Sequence, residues 1–407
     1  MPDSPRRLDS APHHAWLIDR GLAGAPVSEL LDGFCERLGA AGIPVTRGFL
    51  SFATLHPLLW ATGFLWQRGK AVEPADVEHG FESGAAWLSS PFRHMLESGT
   101  RRLRRPLAGA NALLDYPVLG ELRDQGLTDW LALFFSFGWR VEHSQLSELG
   151  VIFSWATDRS GGWTERELAA LEELSGTLAL AVRSGSAQET TRTLLATYLG
   201  RDAAERVVVG QIQRGSVERS TAIILDADLR GFTDFAEAAV PEEVTRRLNG
   251  FFDCVGAPVK DAGGEILKFL GDGLLAVFLA EAERDMASVA EATLAAAREI
   301  LARVGALNDT EQAAGNPTLV VDIALHAGEV TYGNVGTAER LDFTVIGPAV
   351  NEVSRLEGLC KELDRQLLVS DSLVRAAPAL RGRLRSLGRY RLRGVSEARE
   401  VYGLDQT

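Results

Sequence analysis

Two carboxylates, each ending a short apolar run, are the residues of this sequence best suited to do chemistry. Thr221-Ala-Ile-Ile-Leu-Asp-Ala-Asp-Leu-Arg-Gly-Phe-Thr233 reads as a buried strand from Ala222 that runs into Asp226 and Asp228 and then a glycine turn. An acid at the mouth of an apolar strand is costly unless a cation sits on it. Further on, Glu265-Ile-Leu-Lys-Phe-Leu-Gly-Asp-Gly-Leu-Leu-Ala-Val-Phe278 is two apolar runs joined by Gly271-Asp272-Gly273. That is a hairpin signal with one Asp at its tip. Asp228 and Asp272, each beside a glycine that lets backbone approach a phosphate, make a plausible divalent-metal pair. Hard oxygen donors with few histidines nearby suit Mg²⁺ or Mn²⁺ rather than zinc. The bland alternative is two turn aspartates, which Asp favours on its own account. Asp226 shares a strand face with Asp228 at period two, as a carboxylate behind the pair or as a solvent-facing residue. Asn351 and Arg355 lie four apart and project from one helix face, an arrangement also common on plain surfaces.

The elements that must position these residues read as strand 222–228, helix 241–262, hairpin 265–278, helix 284–306, strands 319–327 and 341–346, and helix 349–363. Further strands and a short helix follow. Met286, Val289, Ala290, Leu294, Ala297, Leu301 and Val304 share one helical face. Glu311 to Pro317 reads as a polar loop. A β-α-β-β-α-β order gives an α+β sheet with helices on one face.

The remaining half is built differently. All eight tryptophans fall in the first 163 of the 407 residues, which points to two separate cores. Residues 1 to 14 read as loose, and Ser28 to Gly42 as an amphipathic helix with Ser28 a candidate N-cap. Leu149 to Trp155 reads as a strand, followed by a glycine turn. Thr164 with Glu167 forms a capping box opening a helix that carries Leu168, Leu171, Leu174, Leu178 and Val182. From Gln188 to Gly210 a connector carries Leu194, Leu195, Tyr198 and Leu199 at helical spacing. It reads either as a helix packing on its own domain or as a parallel two-helix junction between chains.

The net charge of −13 argues against nucleic acid or an anionic membrane as partner. Cys35, Cys254 and Cys360 are scattered, without a zinc pattern, and suit reduced thiols. No apolar run reaches the ~18 residues of a membrane span, and no signal peptide is legible, so a cytoplasmic location is expected.

Asp228-Leu-Arg-Gly-Phe-Thr, Lys268-Phe-Leu-Gly-Asp272 and Phe343-Thr-Val-Ile-Gly-Pro-Ala-Val-Asn-Glu-Val-Ser-Arg355 together resemble the ordered motifs of the class III nucleotide cyclases, over roughly Val217 to Leu404. The resemblance implies a ferredoxin-like catalytic domain that turns ATP into 3′,5′-cyclic AMP and pyrophosphate. It implies two Mg²⁺ or Mn²⁺ ions per active site on Asp228 and Asp272, one activating the ribose 3′-hydroxyl and one holding the triphosphate. Lys268 would donate to adenine N1 and Thr344 would accept from the exocyclic amine. Guanylate cyclases resemble Glu/Cys at these places, so the pair favours ATP. Asn351 would orient the ribose, and Arg355 would stabilise charge on the α-phosphate as pyrophosphate leaves. Metal and base residues would face one site from opposite protomers, which implies a head-to-tail homodimer.

Thr344 in place of the commoner Asp resembles a subgroup that includes bicarbonate-responsive enzymes, so bicarbonate sensitivity is an expectation. Two departures stand out. Pro348 replaces a polar residue, although Pro suits a first helical turn. The family's C-terminal phosphate-binding Lys is missing from Leu392-Arg-Gly-Val-Ser-Glu397, which leaves Arg393 or Arg340 to substitute. The strand, turn and capped helix near residue 160 resemble the close of a GAF-type sensor domain, with a small-molecule or protein regulator as partner. The expected division is residues 1–185 as GAF-like sensor, 186–215 as helical linker and 216–407 as catalytic domain. The competing functions are a guanylate or mixed-specificity cyclase and a non-catalytic nucleotide-binding signalling protein.

Overall fold

Buried and half-exposed residues alternate along Arg47–Ala53, one strand of an antiparallel sheet in the first part of the chain. The computed structural model describes residues 9–138, 150–280, 285–393 and 397–404; Trp139, His143 and Leu149 lie outside them. Two compact units divide at Leu194 and Leu195. In the first, strands β1 (Arg47–Ala53), β2 (Leu59–Gln67), β3 (Glu73–Pro74), β4 (Val77–Glu78), β5 (Arg102–Pro106), β6 (Asp129–Ser136) and β7 (Gly150–Thr157) pair in the order β3-β2-β1-β7-β6-β5, with β4 also on β2. Helices α1 (Ala11–Leu22), α2 (Val27–Ala40) and α6 (Glu165–Leu199) share one core with this sheet, around Leu31, Phe34, Trp155 and Leu178. Between α2 and α6, α3 (Ala85–Leu88), α4 (Pro91–Ser98) and α5 (Pro117–Asp124) follow in order. A second core joins α4 and α5 through Met95, Leu119 and Trp130.

All eight residues of β7 are buried, because each of its faces meets one of these cores. The buried indoles are satisfied: Trp130 Nε1 donates to Ser154 Oγ at 2.7 Å and Trp155 Nε1 to Ser175 Oγ at 3.1 Å. The capping box forms, with Thr164 N donating to Glu167 Oε2 at 2.8 Å and Glu167 N to Thr164 Oγ1 at 3.4 Å. Ser28 caps nothing, since α2 begins one residue earlier with Pro26 at its N-cap. Residues 11–14 are helical rather than loose. The connector is not a separate helix at its start. No Gly or Pro interrupts residues 187–199, so α6 continues unbroken to Leu199, and α7 (Arg201–Val208) follows Gly200.

The second unit contains β8 (Val217–Leu229), β9 (Glu265–Leu270), β10 (Gly273–Leu279), β11 (Val321–Gly336), β12 (Leu341–Ile346), β13 (Leu367–Ser370), β14 (Leu384–Tyr390) and β15 (Arg399–Leu404). They pair as β14-β15-β13-β11-β8-β10-β9, with β12 on β11, and only the β11–β13 pairing is parallel among the described residues. Helices α8 (Phe232–Ala238), α9 (Pro241–Asp261), α10 (Met286–Ala313), α11 (Pro348–Glu357), α12 (Leu359–Leu363) and α13 (Asp371–Ala376) complete it. Odd-numbered β8 residues Ile223, Leu225 and Ala227 pack with Phe251 and Val255 of α9 and Ala297 and Ile300 of α10. Even-numbered Ala222 and Ile224 pack with Ala349, Val353 and Leu356 of α11.

Helices thus cover both faces of the sheet, not one, because α11 has an apolar stripe of its own. Each fully buried aliphatic side chain of this kind contributes roughly 1.5–3 kcal/mol. Asp226 and Asp228 are even-numbered, so they share the α11 face. Three further expectations are corrected. β11 runs to Gly336 because β12 pairs with its polar second half. Glu311 belongs to α10 and is buried, held by Arg246 at 2.8 Å through both oxygens, instead of opening a loop. The helix expected over 349–363 breaks at Gly358 into α11 and α12.

Candidate active site

Asp228, the penultimate residue of β8, lies between two cross-strand partners, Gly273 on β10 and Asp322 on β11. A Cβ at Gly273 would lie 2.5 Å from Asp228 Oδ1. Any larger residue there would displace the carboxylate, so this glycine makes room for it. Asp272 immediately precedes Gly273 at the hairpin tip. Burial first, then the neighbouring Asp272, Asp226 and Asp322, push the Asp228 carboxyl up to about 6.

The surrounding acids are handled in different ways. Asp322 is buried and clamped by Arg230, with Nη2 donating to Oδ1 at 2.7 Å and Nε to Oδ2 at 2.9 Å. Asp226 is not solvent-facing: it is 8% exposed, and burial raises its carboxyl to about 6, a rise that the neighbouring Ser354 side chain of α11 moderates. Glu357, on the last turn of α11, is pushed up to about 7 by burial and then by Asp228, Asp226 and Asp322. Crowded, half-desolvated carboxylates of this kind suit a hard cation. Among the described residues no three His, Cys, Asp or Glu side chains form a closed metal site. A cation held by Asp228 and Asp272 would have to take its other ligands from water and phosphate oxygens.

Lys268 and Thr344 line one cavity of about 510 Å³, together with Arg340, Asp342 and Glu265. Lys268 Nζ lies 2.7 Å from Asp342 Oδ2, and this ammonium holds the Asp342 carboxyl below the usual carboxylate range. Sequence reasoning missed Asp342. Its signal was the period-two spacing from Thr344, which puts both on one strand face. Arg230, Asp322, Ser354 and Glu357 were missed too, since pairing across strands and from α11 brings them in. Asp228 and Asp272 do not line the Lys268 cavity. Phe269, at that cavity, and Leu270 beside it are 54% and 51% exposed.

Asn351 is exposed and Arg355 half-buried on α11. Gly347, at φ +144°, is the N-cap of that helix and Pro348 its first residue. Arg393 is exposed and directly precedes residues 394–396, which lie outside the described part of the expected phosphate-binding stretch.

Residues 216–406 match the family model of the adenylate and guanylate cyclase catalytic domain. The second half of this chain belongs to that family. The cyclase domain has relatives in an adenylate cyclase of Anabaena cylindrica, 36% identical over 171 residues, which covers 41% of this chain and 33% of that protein. Adenylate cyclase 1 of Rhizobium meliloti is 31% identical over 184 residues, 45% of this chain and 27% of that protein. The chain thus spans about a third or less of the length of these curated relatives. Among solved structures, the adenylyl cyclase CyaB from P. aeruginosa is 24% identical, with a TM-score of 0.43, covering 47% of this chain and 97% of that one. The guanylyl cyclase Cya2 is 28% identical, with a TM-score of 0.40, covering 46% and 92%.

Proposed function

We propose that the cyclase domain converts ATP to 3′,5′-cyclic AMP and pyrophosphate at a site shared by two copies of the chain. The observation that carries the choice of ATP is the Lys268–Asp342 ion pair beside Thr344. A lysine has three N–H donors, so Lys268 can keep Asp342 and still donate to adenine N1. Thr344 Oγ1 then accepts from the exocyclic amine. Guanine presents the reverse pattern, so its N1–H donor would face the Lys268 donor.

Asp228 and Asp272 would hold the two divalent ions, which stabilise the attacking and leaving oxygens of an in-line displacement. Asn351 orients the ribose, and Arg355 meets the charge that grows on the α-phosphate. Arg340 shares the Lys268 cavity, which supports a role near the base or ribose; Arg393 is the candidate for the triphosphate. The acid pair does not line the base cavity of its own chain, and apolar Phe269, at that cavity, and Leu270 beside it are exposed, which supports a homodimer. The first unit acts as the regulatory part in this reading, supported by α6, a single helix that begins in it and ends in the second. Turnover of purified protein with ATP against GTP, in Mn²⁺, tests the proposal: ATP is preferred. Equal rates, or a preference for GTP, contradict it. Bicarbonate at fixed pH raises the rate if the Thr344 subgroup expectation holds.

A further inference from the structure

We infer that the first unit contains a binding site for a small aromatic compound with an N–H donor. A cavity of about 330 Å³ opens there between β1, β2 and the helices that follow them. One wall is an aromatic cluster. Trp60 and Trp87 meet edge-on at 4.9 Å, and Phe81 lies 6.5 Å from the first and 6.4 Å from the second, centroid to centroid. The other wall is the stacked pair Phe49 and Phe92, 5.7 Å apart with planes 8° from parallel.

Phe81 remains 40% exposed and the adjoining Leu88 52% exposed, so these rings are not consumed by the core. Flat aromatic faces prefer offset or edge contact with another ring, which a planar guest supplies. The polar groups narrow the class. Ser90 Oγ is already used, accepting from Phe92 N at 3.0 Å. Glu121, an exposed residue whose side chain has no hydrogen bond or ion pair among the described residues, also lines the cavity. Among the described residues no Lys, Arg or His lines it. Rings plus an exposed, unpaired carboxylate, with no cation among the described lining residues, favour an apolar body with an N–H or ammonium end over an anion. Nothing here depends on the cyclase reading, and binding is measured without turnover.

The test is titration of the full chain with N-phenylnaphthylamine, read by energy transfer from tryptophan. The expected result is saturable binding of one probe per chain. Trp87→Ala weakens it by about tenfold or more, and Ser51→Phe, which fills the cavity from β1, abolishes it. Leu113→Ala, on the surface away from the cavity, leaves it unchanged. Glu121→Ala weakens it, and anilinonaphthalene sulfonate, with similar rings and a negative charge, binds less well than the neutral probe. Non-saturable binding overturns the site, as does unchanged affinity in Trp87→Ala with a native circular dichroism spectrum. Equal or tighter binding of the sulfonate overturns the donor end. If Ser51→Phe fails to fold, Trp87→Ala and Glu121→Ala decide.

Discussion

The Lys268 ammonium and the Asp342 carboxylate meet at 2.7 Å, although β9 and β12 are not hydrogen-bonded to each other. Both side chains are about half exposed, so the pair contributes little to stability, on the order of 0–1 kcal/mol. Its value is positional: it fixes where the ammonium points. Asp342→Ala is expected to leave the melting temperature nearly unchanged. The ATP KM rises several-fold and the ATP-to-GTP ratio of kcat/KM falls. Steady-state kinetics on both nucleotides, beside a thermal melt, check this. A large loss of stability with intact selectivity contradicts it.

The same ion pair limits a specificity switch. Lys268→Glu with Thr344→Cys would set two carboxylates face to face, which is unfavourable. The double variant should therefore lose ATP turnover without gaining GTP turnover. Adding Asp342→Asn should relieve that repulsion and bring GTP turnover above that of the double variant. Comparing cyclic GMP formation across the three proteins settles it.

Raised carboxyls near Asp228 give a signed pH effect. Asp226 and Asp228 at about 6 and Glu357 at about 7 stand above unfolded values of roughly 4. The native protein therefore holds more protons than the unfolded chain between about pH 4 and pH 7, and these groups lower stability as pH rises through that window. Without metal, urea unfolding should show lower stability at pH 8 than at pH 6 from this source, and Asp228→Asn should flatten the slope. Mn²⁺ competes with the same protons, so it should raise the melting temperature more at pH 8 than at pH 6, and less in Asp272→Ala. Differential scanning calorimetry with and without chelator reads both effects.

Ser354 carries a related prediction. Its side chain neighbours the buried Asp226 carboxyl and favours the charged form. Ser354→Ala removes that polar neighbour and should destabilise by about 1 kcal/mol or less at pH 8. The cost should shrink at pH 5, where Asp226 is protonated. Chemical denaturation at the two pH values checks the difference; an equal cost at both would show the contact to be immaterial.

The sequence carried the residues at strand ends and helix faces, because period two and period 3.6 are local. Asp228, Asp272, Lys268, Thr344, Asn351 and Arg355 were all legible as candidates by spacing and motif. What was not legible came from pairing across distance. Asp322 reaches Asp228 only through the β8–β11 register, and Asp342 reaches Lys268 only because β12 folds back along β11. The second helical layer was missed for the same reason. The apolar stripe Ala349, Val353, Leu356 is plain on α11, but which sheet face it covers depends on a crossover that no local pattern encodes. Glu311 read as loop because its partner Arg246 lies on another helix.

The central claim is that one chain's acid pair works with another's base pocket and α11. Asp272→Ala and Arg355→Ala should each lower cyclic AMP formation by about 10²-fold or more while leaving the circular dichroism spectrum native. Co-expressed with different tags and purified through both, the mixed dimer keeps one site with both residues intact. Recovery of cyclic AMP formation toward half the unmodified rate is the predicted result. A mixed dimer as inactive as either parent, or parents that retain full activity, would contradict the account.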